Sequence, residues 1–228
     1  MILSVSRRTD IPAFYCDWFF NRIQEGFVDV RNPMNPHQVS RINITPEVVD
    51  CIVFWTKNPQ NMLARLHELD NYNYYFQFTI NPYDKQIEAN VPVKTEIIDT
   101  FRLLSQQIGN HRVIWRFDPI LLTEKIDVAY HKRYFEELAK RLEGLTTKCV
   151  ISFVDLYKKT LANTRFLNMR EPSVSEMKHL AENLATIASR YGIQIQSCAE
   201  NVDLEDEGIK HGCCIDPTLI EEICGYHI

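Results

Sequence analysis

Glycine is scarce, 7 residues in 228, and the motifs that depend on it are missing. No Gly-rich phosphate loop occurs, which argues against nucleotide binding by the common loops. There is no Gly-x-Ser-x-Gly elbow, so a serine hydrolase is not supported, and no His-Glu-x-x-His pair of helix-borne zinc ligands. No Gly/Ser linker or low-complexity tract marks a domain boundary. No apolar run approaches the roughly 20 residues of a membrane helix. The N-terminus lacks the longer apolar region and cleavage site of a secretory signal, so the cytoplasm is the expected compartment. Positive charge is not in excess: the formal net charge is −5, which argues against general nucleic-acid binding. An even cysteine framework is absent too. The 7 cysteines are scattered and predict reduced thiols, with Cys51 and Cys149 packed inside apolar runs.

What is present is a repeated pattern. Apolar runs end abruptly in polar clusters. Ile2-Leu3-Ser4-Val5 runs into Ser6-Arg7-Arg8-Thr9-Asp10, and Cys51-Ile52-Val53-Phe54-Trp55 runs into Thr56-Lys57-Asn58-Pro59. Val113-Ile114-Trp115 meets Arg116-Phe117-Asp118-Pro119. The run from Cys149 to Val154 meets Asp155, and the run from Ile193 to Cys198 meets Glu200. Strands are predicted at 1–5, 27–31, 51–55, 74–80, 112–117, 148–154 and 193–198. Several are apolar at consecutive positions, as strands buried on both faces of a parallel sheet are.

Helical spacing fills the intervals: Phe14, Trp18, Phe19 and Ile23; Met62, Leu63, Leu66 and Leu69; Ile97, Phe101, Leu104 and Ile108; Tyr134, Phe135, Leu138 and Leu142; and Met177, Leu180, Leu184, Ile187 and Tyr191. Asn58-Pro59 and Asp216-Pro217 read as helix starts, and Ser173 to Glu176 as a capping box. Residues 36–45 alternate apolar and polar and predict a hairpin or edge strand. The expectation is a single α/β domain over 1–228: a (β/α) barrel, TIM-barrel-like but irregular, with parallel strands and outer helices. An open doubly wound sheet is the alternative.

In such folds the strand tails lie at one edge, where chemistry is placed. The expected substrate-binding set is Ser6, Arg7, Arg8, Asp10, Arg31, Trp55, Lys57, Asn58, Gln77 and Arg116, with Asn32 and Asn81 as further amides of the rim and Trp115 also at the mouth. Guanidinium forks suit phosphate or carboxylate groups. The expected catalytic carboxylates are Asp118, Asp155 and Glu200, handling protons or a cation. The blander reading is that Arg and Asp pair across strand ends and staple them, and that Asp10 caps the first helix. Cys198, His211 and Cys214 are weak metal candidates whose spacing fits no common zinc pattern. The remaining histidines, His131 among them, read as surface or helix-face residues.

From Ser4 to Tyr15 (Ser-Val-Ser-Arg-Arg-Thr-Asp-Ile-Pro-Ala-Phe-Tyr) the chain resembles the bacterial family called domain of unknown function 1848. Val30-Arg31-Asn32-Pro33, Val39-Ser40-Arg41, the segment Ile52 to Pro59, Tyr74 to Thr79, Val113 to Ile120, Ile151 to Asp155, Cys198-Ala199-Glu200 and His211-Gly212 extend the match. The resemblance implies no established activity. Longer members resemble radical S-adenosylmethionine proteins in a C-terminal Cys-x3-Cys-x2-Cys run of the type that holds a [4Fe–4S] cluster. This sequence holds no such run, so cluster and S-adenosylmethionine are expected only if one follows residue 228.

The function expected is therefore an enzyme acting on a small anionic substrate at the strand ends. A metal-assisted hydrolase, lyase or isomerase is one alternative. A non-catalytic module binding a protein or a nucleic-acid end is another. No membrane partner is expected, and the oligomeric state is left open.

Overall fold

The structure, a computed structural model, describes residues 1–6, 9–154, 164–198 and 200–227. Its strands are β1 (Ile2–Val5), β2 (Phe27–Arg31), β3 (Val39–Asn43), β4 (Cys51–Thr56), β5 (Tyr74–Thr79), β6 (Val113–Ile120), β7 (Lys148–Phe153), β8 (Gln194–Ser197) and β9 (Lys210–His211). Its α-helices are α1 (Ile11–Phe14), α2 (Cys16–Glu25), α3 (Lys94–Ile108), α4 (Val128–Leu142), α5 (Val174–Arg190) and α6 (Pro217–Cys224). Met62, Leu66 and Leu69 do face the core, but from a 3-10 run, Gln60–Leu69. Among the described residues no helix is long and apolar enough to cross a membrane.

The chain is α/β. Strand order is β1-β4-β5-β6-β7-β8-β9, and β2 and β3 form a separate two-stranded sheet. β1 pairs with β4 in parallel, and β6 with β7, β7 with β8, and β8 with β9 likewise. Two ends remain, β1 and β9, so this order does not establish a closed barrel. It also never reverses, as a doubly wound sheet must. β2 and β3 are antiparallel, Phe27 opposite Asn43 and Arg31 opposite Val39. This is the hairpin that the alternation at 36–45 predicts.

Two compact units make up the chain, Met1–Gln77 with Pro217–Ile228, and Phe78–Asp216. In the first, β4 is buried at nearly every position, on both faces, which is why Cys51 to Trp55 reads as one apolar run. Its core is aromatic: Phe54 stacks on Phe76 at 4.6 Å and meets Phe19 edge-on at 5.2 Å. In the second unit, β6 and β7 are buried in the same way. Helix α4 joins β6 to β7, and α5 follows β7 and leads into β8. Right-handed crossovers between parallel strands put both helices on one face, and they pack against each other there. Trp115 is fully buried, stacked on Phe135 at 4.7 Å, and its indole N–H donates to the Ile80 carbonyl. It belongs to the core and not to a rim. His131 is also fully buried, not a surface residue: its ring meets Phe117 edge-on and its Nε2 bonds the Leu121 carbonyl at 2.8 Å.

Helix α5 starts as its sequence dictates. The Ser173 hydroxyl accepts from the Glu176 N–H, while Glu176 reaches back to the Ser173 N–H, closing the capping box.

Candidate functional site

In the first unit the tails of β1 and β4 point the same way, because the strands are parallel. Asp10, just beyond β1, accepts from the Ala13 N–H (3.0 Å), the Thr56 hydroxyl (2.8 Å) and the Lys57 N–H (2.7 Å). One carboxylate thus caps α1 and ties it to the end of β4. Burial lifts the Asp10 carboxyl above its ordinary range, against the pull of these donors. Thr56 is buried and also accepts from the Asn58 N–H, whose own side chain accepts from Gln60 N–H. The Ser6 hydroxyl is buried without a hydrogen-bond partner among the described residues. Trp55, Lys57 and Asn58 are half-buried, and Gln77 is buried. Arg31 is exposed and ends β2. It stands on the hairpin and not at the tail of a sheet strand. Arg7 and Arg8 lie outside the described residues.

In the second unit the site is built around an irregularity. The register between β6 and β7 shifts between Phe117 and Ile120, so Asp118 and Pro119 sit in a bulge, where ladder pairing fails and a side chain is re-aimed. Proline has no N–H to donate. Two side chains satisfy the backbone that the bulge frees. Asn81 donates to the Asp118 carbonyl (2.8 Å) and accepts from the Asp118 N–H (2.9 Å). The Tyr83 hydroxyl donates to the Pro119 carbonyl (2.6 Å) and accepts from the Leu121 N–H (3.1 Å). Both are buried, and burial pushes the Tyr83 phenol well above its ordinary value.

Held in this way, Asp118 faces Arg116 and Ser152. Arg116 Nε and Nη2 both donate to Asp118 Oδ2, at 2.9 and 2.7 Å, and the Ser152 hydroxyl donates to Oδ1. The Arg116 side chain is 5% exposed and that of Asp118 24%. Burial pulls the Arg116 guanidinium down, but Asp118 and a hydrogen bond to the Cys198 sulfur outweigh it and leave its pKa raised. Cys198, just past β8, lies with its sulfur 2.9 Å from that of Cys214. At the end of β7, Glu200 Oε1 accepts from the Phe153 N–H at 2.6 Å. Strand ends of β6, β7, β8 and β9 therefore bring Arg116, Asp118, Ser152, Cys198, Glu200 and Cys214 to one edge of this unit. Asp155 lies outside the described residues.

Asn81 stands at a strand tail, where the sequence reading expects an amide of the rim, and Ser152 is the residue that this reading missed, one polar position within an apolar run. A single sequence offers one usable signal, the proline of Asp118-Pro119 inside a strand, whose unpaired neighbours require side-chain partners.

His211 is exposed and 3.7 Å from Asp203. Among the described residues no group of three His, Cys, Asp or Glu side chains is placed to hold a metal ion. A [4Fe–4S] cluster open at one iron needs three thiolates, so the residues described here do not fit one. Cys51 and Cys149 are fully buried core thiols, and burial drives the Cys149 thiol far up. A hollow of about 510 Å³ beside α5, β8 and β9 has Lys210 as its one charged lining residue. The polar groups converge elsewhere.

No curated protein matches the chain. A solved structure of a putative alpha-L-fucosidase from Bacteroides thetaiotaomicron VPI-5482 aligns at 16% identity, over 78% of this chain and 74% of that one, with a TM-score of 0.34. That likeness is too low to carry any argument. The model of one family, a domain of unknown function (DUF1848), spans residues 2–228 with the strand tails described above, and the chain belongs to that family.

Proposed function

We propose that the protein is an enzyme that binds a small phosphate- or carboxylate-bearing molecule at the strand ends of its second unit and moves a proton through Asp118. The observation that carries this reading is the Arg116–Asp118 pair. Its guanidinium is almost wholly withdrawn from water while its carboxylate keeps a quarter of its surface. Such a pair is expensive to bury and gains little stability over apolar packing, so its presence in a strand bulge is characteristic of a functional site. Arg116 supplies the fork for an anionic group. Asp118, aimed by Asn81 and bonded to Ser152, is the acceptor for a substrate proton, and Glu200 is a second carboxylate at the same edge. The unreversed strand order supports a barrel-like arrangement, and seven scattered cysteines, none in a disulfide, favour a cytoplasmic setting.

Calorimetric titration with inorganic phosphate and with acetate tests the reading. Wild type should bind at least one of the two. Arg116→Lys, which keeps the charge and loses the fork, should bind about tenfold more weakly, near 1.4 kcal/mol. Equal binding by a folded Arg116→Gln variant would refute it.

A further inference from the structure

We propose that Cys198 and Cys214 form a reversible disulfide, a redox modification site at the ends of β8 and β9 that sets the surroundings of Arg116. The inference does not depend on which substrate the protein takes. Neither cysteine is in a disulfide, their sulfurs lie 2.9 Å apart, and closing to the roughly 2.05 Å of a disulfide needs a movement of less than about 1 Å.

The sheet itself creates this approach. β8 and β9 are parallel neighbours with Ser197 opposite His211. The chain then turns back over the end of β8, with the Gly212 N–H donating to the Ser197 carbonyl at 2.8 Å. A side chain at 212 would meet Gln196 Oε1 at 2.9 Å and the Ser197 carbonyl at 3.0 Å, so glycine permits the close crossing that delivers Cys214 to Cys198.

The two thiols differ as an attacking and a resolving cysteine must. Cys214 is exposed and Cys198 is buried. Burial and the neighbouring sulfur push the Cys198 thiol up to about 11, against the pull of Arg116. With a small disulfide such as oxidised glutathione as oxidant, the Cys214 thiolate attacks one sulfur and releases one glutathione thiol. The Cys198 sulfur then displaces the second glutathione, giving its proton to water or to the departing thiolate. One protein S–S bond forms, the oxidant's S–S bond breaks, and two electrons and two protons end on two glutathione thiols. The Cys198 S–H is lost in the process, which alters the group that Arg116 hydrogen-bonds and so couples redox state to the Arg116–Asp118 pair.

The test uses the full chain under native conditions. The protein is treated with oxidised glutathione, its remaining thiols are alkylated in denaturant, and the peptides are mapped by mass. The expected result is a cross-linked pair of peptides carrying Cys198 and Cys214, lighter by two hydrogens and restored by dithiothreitol. Cys213→Ser should keep the cross-link. Cys214→Ser should leave Cys198 fully alkylatable, and this comparison holds even if Cys198→Ser does not fold. A stable glutathione adduct on Cys214 with Cys198 still alkylatable would overturn the proposal. So would a cross-link through Cys213.

Discussion

Asn81 makes two hydrogen bonds to the backbone of Asp118, one as donor and one as acceptor. Asn81→Leu removes both and leaves a partly buried N–H and a partly buried carbonyl bare. Each bare group costs roughly 1–3 kcal/mol, so the urea midpoint should fall markedly, whereas Asn81→Asp keeps one bond and should fall less. Arg116 and Asp118 are coupled, and their energies will not add. Asp118→Asn strands the buried guanidinium and should cost about 3 kcal/mol, the low end for a buried pair because Asp118 is partly hydrated. Arg116→Met combined with Asp118→Asn should cost clearly less than the sum of the two single changes in a double-mutant cycle. An additive result would mean that the pair is not the interacting unit drawn here. Arg116 and Asp118 were legible as candidates because charges directly after a core strand are conspicuous. Their environment was not. Asn81, Ser152 and the sulfur of Cys198 reach them from positions remote in sequence, and no local pattern announces such a meeting.

At the scale of elements, sequence reading worked wherever burial writes itself into composition. β4, β5, β6 and β7 are buried on both faces and were readable as continuous apolar runs. The capping box of α5 was readable because its chemistry is local. Ser173→Ala should cost about 1 kcal/mol by chemical denaturation. Its partner gives a pH signature. The Arg170 guanidinium and the Ser173 N–H and hydroxyl hold the Glu176 carboxyl down at about 2, from an ordinary 4.5. Its stabilisation is therefore complete above pH 4.5 and is lost as pH falls toward 2. The pair is half exposed, so the effect is small, and it should vanish in Glu176→Gln when acid unfolding is compared with wild type. Arg31 was less transparent. The tail of β2 has the same apolar-then-basic pattern as the sheet strands, and only long-range pairing with β3 distinguishes a hairpin strand from a member of the parallel sheet.

At the scale of the whole molecule, strand order was not legible beyond its class. Apolar runs and helical intervals specify α/β with parallel strands, but the number of strands that join, and whether the last meets the first, depend on contacts that no local pattern encodes. Global stability carries one further signature, from His131. Burial lowers its pKa below the ordinary 6.5, so the unfolded chain binds the proton more readily. Stability should fall as pH drops below about 6.5, down to the folded pKa. Urea midpoints at about pH 7.5 and about pH 5.5 should therefore differ more in wild type than in His131→Gln. An equal difference would place the titrating group elsewhere. The central claim, that the strand ends of the second unit form an anion site, is tested most directly by a crystal soaked in inorganic phosphate. The account predicts an ordered phosphate within hydrogen-bonding distance of Arg116. Phosphate bound only at other positions, with the Arg116–Asp118–Ser152 network untouched, would contradict it.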